Sequence, residues 1–144
     1  MQSGTAGKPK GSMDIDYRWR GELTDDEVVE LTRSHGGNAE AGWWDRVRAH
    51  SLGWTTARSG AALIGFVNVA WDGAEHAFLL DPKVRPEHQH NGIGTELVRS
   101  AADAARRAGC TWLHVDFEER LRPFYLEACG FRTTAAGLLN LRES

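Results

Sequence analysis

At 144 residues the chain has the length of one domain with a sizeable core. Its 41% hydrophobic and 26% charged residues are those of an ordinary globular protein. With 17 basic against 20 acidic residues and a net charge of -3, it has no global field to draw nucleic acid or an anionic membrane, so small molecules are the expected partners.

Residues 1–12 contain Gly, Ser, Lys and Pro with hardly an apolar side chain. A disordered leader or appended tag is expected there, ahead of a single domain over residues 13–144. Ile15 to Trp19 alternates and reads as a first strand. Thr24 with Glu27 three residues on forms a capping box, opening a helix with Val28, Val29 and Leu31 that stops at Gly36-Gly37. A second helix is expected over Ala41 to His50. Three strands follow in an antiparallel meander: Trp54 to Arg58, Ala62 to Trp71 and His76 to Val84, with turns at Ser59-Gly60 and Asp72-Gly73.

Leu97, Val98, Ala101, Ala104, Ala105 and Ala108 recur at helical spacing, and Arg106, Arg107 and Gly109 match a helix end. A helix over Gly92 to Ala108 then leads to a strand over Cys110 to Phe117, and such a crossover implies a parallel pair. Pro123 suits the first turn of a further helix, ended by Gly130. Phe131 to Thr134 and Gly137 to Leu141 read as two closing strands. The expected fold is α/β (α+β), a mixed, mostly antiparallel sheet of about six to seven strands with about four flanking helices. Trp19, Trp54, Trp71 and Trp112 fall in strands and are expected in the core. The two cysteines, Cys110 and Cys129, lack Cys-x-x-Cys spacing, and the chain shows no signal-peptide core and no apolar stretch of transmembrane length. A reduced, cytoplasmic protein with packed cysteines is the expectation.

The segment Gln89-His90-Asn91-Gly92-Ile93-Gly94-Thr95 lies between a strand end and a helix start. Its glycines allow close backbone approach, and the first free N–H groups of the helix with its dipole favour an anion such as a pyrophosphate. The dinucleotide-binding fingerprint would place a third glycine near Leu97, and a Walker loop would need Lys after its last glycine, where Thr95 stands.

Gln89-His90-Asn91-Gly92-Ile93-Gly94 resembles the cofactor loop of the GNAT superfamily of N-acetyltransferases: Gln or Arg, two residues, Gly, one residue, Gly or Ala. Val84-Arg85-Pro86-Glu87 is similar to the Val-x-Pro-Glu at that family's strand end, and Phe124-Tyr125 with Gly130-Phe131 resembles its aromatic-Tyr and Gly-Phe elements. The likeness runs from about Leu63 to Phe131.

The resemblance implies an acetyl-CoA-dependent N-acetyltransferase that needs no metal. Val84 and the loop residues Gln89, His90, Asn91, Gly92, Ile93, Gly94 and Thr95 would hold acetyl-CoA. The strand ending at Val84 would splay from the strand ending near Phe117 to make the pantetheine slot. Tyr125 corresponds to the family's tyrosine and would protonate or hydrogen-bond the leaving thiolate. The family usually has three residues between that tyrosine and Gly-Phe, whereas Leu126, Glu127, Ala128 and Cys129 make four here, an offset that would turn the hydroxyl by much of a helical step. Candidates for a base are Asp116, Glu118, Asp81, Glu75 and His76, with Glu118 chosen because it precedes the Tyr125 helix. His88 and His90 flank the loop, while His35, His50 and His114 show no partner pattern. Trp43-Trp44 falls where the family walls its acceptor pocket, with filling of the helix–sheet gap favoured over stacking on the acceptor. A small-molecule or peptide amine is the expected acceptor and a homodimer is possible. The alternatives are a non-catalytic acyl-CoA sensor and a domain that uses the loop for another diphosphate.

Overall fold

The structure is a computed structural model that describes residues 14–143. The leader expected over residues 1–12 lies outside the described residues. Five strands form one sheet in the order β1-β2-β3-β4-β5: β1 Asp16–Trp19, β2 Ser51–Ser59, β3 Ala62–Trp71, β4 His76–Val84 and β5 Trp112–His114. The first four are antiparallel neighbours and β5 lies parallel to β4, as the crossover through a helix requires.

The first helix, α1 (Asp25–Ser34), starts where its capping box predicts. Thr24 Oγ1 accepts from Glu27 N at 3.1 Å, and the Glu27 carboxylate accepts from Thr24 N at 3.0 Å. Glu27 also takes Arg58 from β2 at 2.8 Å, so the cap ties α1 to the sheet. Thr24→Ala is therefore expected to remove about 1 kcal/mol. In thermal unfolding this should appear as a fall of roughly 3–5 °C in Tm for a domain of this size.

The second helix is shorter than Ala41 to His50: α2 covers Trp43–Val47 and tightens into a 3-10 turn over Arg48–His50. Gly42 stands at φ 90, outside the helix, and the Asp25 carboxylate accepts from the N–H groups of Gly42 and Trp44 at 2.6 and 2.8 Å. Those two bonds set the start of α2, and they hold the Asp25 carboxyl below its usual range.

The sheet separates two apolar layers. On one face α3 (Ile93–Arg107) packs Leu97, Val98, Ala101 and Ala105 against Ile64, Val67, Val69 and Leu79. On the other, α1 and α2 bury Val28, Leu31 and Trp44 against Trp54, Leu63 and Phe66. Trp54 is in the core as expected, and Trp19 and Trp71 pack against it half-buried, but Trp112 is 48% exposed. It sits on the last strand, with the Arg132 guanidinium 5.3 Å from its ring.

Beyond Phe131 the expected sixth and seventh strands are absent. Residues 132–140 adopt no regular structure, and Leu138, Leu139 and Leu141 are 82–86% exposed. The expected strand from Cys110 to Phe117 also contracts to Trp112–His114. Alternation in Arg132-Thr133-Thr134 marks strand preference only, and a strand needs a matching edge; here β5 offers only three paired residues before it leaves β4.

Candidate active site

Two distortions of β4 shape the centre of the molecule. Pairing with β5 ends at Phe78↔His114, so the stretch of β4 from Leu79 to Val84 has no strand beside it on that edge. On the other edge Phe66↔Lys83 and Asn68↔Leu80 are in register while Val67 faces both Asp81 and Pro82, a bulge with Asp81 at φ 56. Bulges bend a strand and re-aim its side chains, and Pro82 removes a ladder donor at that point. The outcome is a slot between the diverging ends of β4 and β5.

The glycine loop closes one end of this slot. Gln89 Nε2 donates to Val84 O at 3.1 Å and Asn91 Nδ2 donates to His88 O at 3.3 Å, so both side chains hold the shape of the loop. His90 adopts φ 67 and Gly92 φ 79. Gly92 caps α3 with no side-chain acceptor, which leaves the first-turn amides of Ile93, Gly94 and Thr95 as orphan donors at the positive end of a fifteen-residue helix. Gly94 serves packing, because a Cβ there would stand 3.2 Å from the Phe124 ring. Nearby, His88 Nδ1 is buried with no partner among the described residues. A diphosphate fits this donor set.

Tyr125 stands on the far wall, in a π-helical segment over Pro123–Ala128. Its ring is 3% exposed, stacked on Phe117 at 4.9 Å and edge-on to Phe124 at 4.8 Å. The hydroxyl has no hydrogen-bond partner among the described residues. Burial, then Cys129, then Asp116, push its pKa up to about 12. The extra residue before Gly130-Phe131 is absorbed by the π turn: Cys129 N donates to Phe124 O, five residues back, at 3.0 Å, and Phe131 N returns to Tyr125 O at 3.0 Å. The offset read from the sequence thus becomes a wider turn, and Phe131 still packs on Tyr125 at 5.9 Å. The Cys129 thiol lies against Thr95 of the loop, its pKa raised by burial and opposed by that hydrogen bond. Thr95, Asp116, Phe117 and Cys129 line one open cavity of about 1420 Å³.

The carboxylates named from sequence separate clearly. Glu118 is exposed and ion-paired with Arg120 at 2.8 Å. Glu75 and His76 lie at the opposite end of β4, where Glu75 accepts from Thr111 Oγ1 at 2.9 Å. His76 Nδ1 meets His114 Nε2 at 2.8 Å, a contact between strands that no sequence spacing reveals. Asp81 lies in the bulge at the unpaired edge of β4; the residue is exposed, and partial burial of its carboxyl raises the pKa with Lys83 opposing. Sequence reading passed over Lys83, although proline inside a strand pattern at Pro82 signals a bulge beside it. Trp44 is fully buried between helix and sheet, whereas Trp43 is half-buried with Lys83 Nζ 5.3 Å from its ring.

The chain matches the profile of the Acetyltransferase (GNAT) family over residues 17–131, and it belongs to that family. No curated protein matches it in sequence. Among solved structures it is similar to a GNAT-family acetyltransferase from Streptococcus pneumoniae, at 23% identity with TM-score 0.73, covering 90% of this chain and 100% of that one. Glucosamine-6-phosphate N-acetyltransferase from Arabidopsis thaliana superposes with TM-score 0.71 at 14% identity, covering 90% and 99%. AAC(6')-Iy in complex with the bisubstrate analogue CoA-S-monomethyl-acetylneamine gives TM-score 0.72 at 16% identity, covering 91% and 99%. At these identities the likeness is one of fold. Among the described residues no helix is long and apolar enough to cross a membrane, and no group of three or more His, Cys, Asp or Glu could hold a metal ion.

Proposed function

We propose that the protein is an acetyl-CoA-dependent N-acetyltransferase that transfers the acetyl group to a primary amine directly, without an acylated enzyme. What supports this reading is that the start of α3, with its orphan amides, packs against the segment carrying Tyr125 through Gly94–Phe124 and Thr95–Cys129, while β4 beyond Phe78 has an unpaired edge. Acetyl-CoA would supply an already activated thioester, which removes the need for a metal. The amides of Ile93, Gly94 and Thr95 would hold the diphosphate, within a loop shaped by Gln89, His90, Asn91 and Gly92. The free edge of β4 up to Val84 would take the pantetheine amides as a neighbouring strand would.

Tyr125 is the proton donor in this reading. A phenol whose pKa is pushed up to about 12 stays protonated at neutral pH and is free to hydrogen-bond or protonate a leaving thiolate. Of the carboxylates, Glu118 is a solvated charge balanced by Arg120, and Asp81, at the unpaired edge of β4 with its pKa raised, would take the proton that the acceptor's ammonium must lose before the neutral amine attacks. A sensor without catalysis would keep the loop and have no use for a proton donor at Tyr125. The bulge and the free hydroxyl favour the enzyme.

Thermal unfolding with acetyl-CoA, with ATP as a matched polyanion, tests the reading. Ligand at about a hundred times its Kd adds roughly 2.7 kcal/mol, a rise of several degrees in Tm. A rise with acetyl-CoA and little with ATP is expected, followed by thiol release when amines are added. No rise at millimolar acetyl-CoA would overturn the assignment. A rise without thiol release from any amine would favour the sensor.

A further inference from the structure

We propose that Lys83 is the centre of an anion-binding subsite on the α1/α2 side of the slot, and that with Asp81 it selects acceptors pairing an amine with a carboxylate, as a free α-amino acid does. The proposal rests on the acetyltransferase reading above and narrows its acceptor.

Lys83 pairs with Phe66 across β3 and β4, so it shares the sheet face that α1 and α2 cover. Its Nζ donates to Thr32 Oγ1 at 3.0 Å, and that hydroxyl donates onward to Val28 O at 2.8 Å. The rings of Trp43 and Phe66 stand 5.3 and 6.0 Å from the same nitrogen. An ammonium has three donors, and Thr32 takes one. No carboxylate of the described residues comes within the 4.0 Å of an ion pair, although nearby cations are matched: Arg85 with Glu30 and Arg58 with Glu27. Burial disfavours the charged form of Lys83 and Asp81 supports it.

A partly buried cation with open donors, held by two aromatic rings, is placed to take an anion. Asp81 is two residues away on the bulge. It interacts electrostatically with Lys83, yet the two groups stay more than 4.0 Å apart and form no direct pair. A zwitterion between them satisfies both: its ammonium faces Asp81 and its carboxylate completes Lys83 with charge-assisted hydrogen bonds. The α-amino acid fits this requirement because its opposite charges are separated by one carbon. The amine is thereby set at the unpaired stretch of β4, where the slot opens. Lys83 is a positioning and selecting residue in this scheme, since it acts on the acceptor's carboxylate and moves no proton.

Thiol release from acetyl-CoA, measured over the proteinogenic α-amino acids against their methyl esters, tests the proposal. The wild-type chain should prefer at least one free acid over its ester by tenfold or more in kcat/KM. In Lys83→Met that ratio should collapse toward one, chiefly through the KM of the acid. A merely structural lysine would lower acid and ester alike and keep the ratio. The acetyl-CoA thermal shift reports whether the variant still folds and binds, and Lys83→Arg, which keeps the charge, should retain part of the preference. Esters used as well as acids by the wild type would overturn the proposal, as would an unchanged ratio in Lys83→Met. Acetyl-CoA stabilisation with turnover of neither acids nor esters would overturn it too, leaving the acetyl-CoA site intact. Absence of acetyl-CoA stabilisation would remove the underlying reading and this one with it.

Discussion

Tyr125→Phe is expected to lower kcat about 10²-fold, the low end of what a positioned acid contributes, with little change in the acetyl-CoA thermal shift. The substitution keeps the ring that stacks on Phe117 and meets Phe124 and Phe131 edge-on, so the wall of the slot is preserved and only the hydroxyl is lost. A kcat equal to wild type would assign Tyr125 to packing alone. The same variant carries a signature in stability. An unfolded tyrosine ionises near its ordinary value of 10.0 and the folded Tyr125 near about 12. Folded-state protonation is therefore favoured, and that contribution is complete below pH 10 and lost as pH rises through about 12. Denaturant unfolding of the wild type should show an alkaline decline in that window that is shallower in Tyr125→Phe.

The parts of this protein written locally in the sequence are those that reading alone recovers. The capping box at Thr24 and Glu27, the meander with its Ser59-Gly60 and Asp72-Gly73 turns, and α3 with its apolar face all depend on residues within a few positions of one another. The glycine loop was legible for the same reason, since Gly92 sets its own backbone angle and opens its own helix. Features that depend on a distant partner were not. His76 and His114 meet because two strands pair in parallel. The closing strands fail because local alternation carries no information about whether an edge is free to receive them.

The surroundings of Lys83 and Asp81 were the least legible part, for a physical reason. Lys83 becomes unusual only through Trp43 and Thr32, which lie roughly 40 and 50 positions earlier and reach it by the packing of α1 and α2 on the sheet. Asp81 becomes unusual through a one-residue bulge, and Pro82 was its only local sign. The π turn shows the converse: the extra residue before Gly130-Phe131 is taken up by one wider turn, which an α-helical count of residues does not describe.

Trp44→Ala should cost about 3–5 kcal/mol, the range for removing a large buried aromatic, a large share of the roughly 5–15 kcal/mol that holds a domain folded. Trp44 is fully buried and meets Trp54 at 5.0 Å and Phe66 at 5.1 Å, both edge-on. It is the piece that joins α2 to the sheet. One property offsets its value: the indole Nε1 is buried with no hydrogen-bond partner among the described residues, a penalty of about 1–3 kcal/mol. Trp44→Phe removes that donor and leaves a smaller cavity, so it should lose less than half of what Trp44→Ala loses in denaturant unfolding. Equal losses would mean the indole N–H is satisfied in solution by a buried water. The effect should extend to the site, because Trp43, which stands over Lys83, is carried on the same short helix. Loosening α2 would free the lysine's surroundings, so the KM for the acceptor should rise in Trp44→Phe while the acetyl-CoA shift, which depends on α3 and β4, stays near the wild-type value.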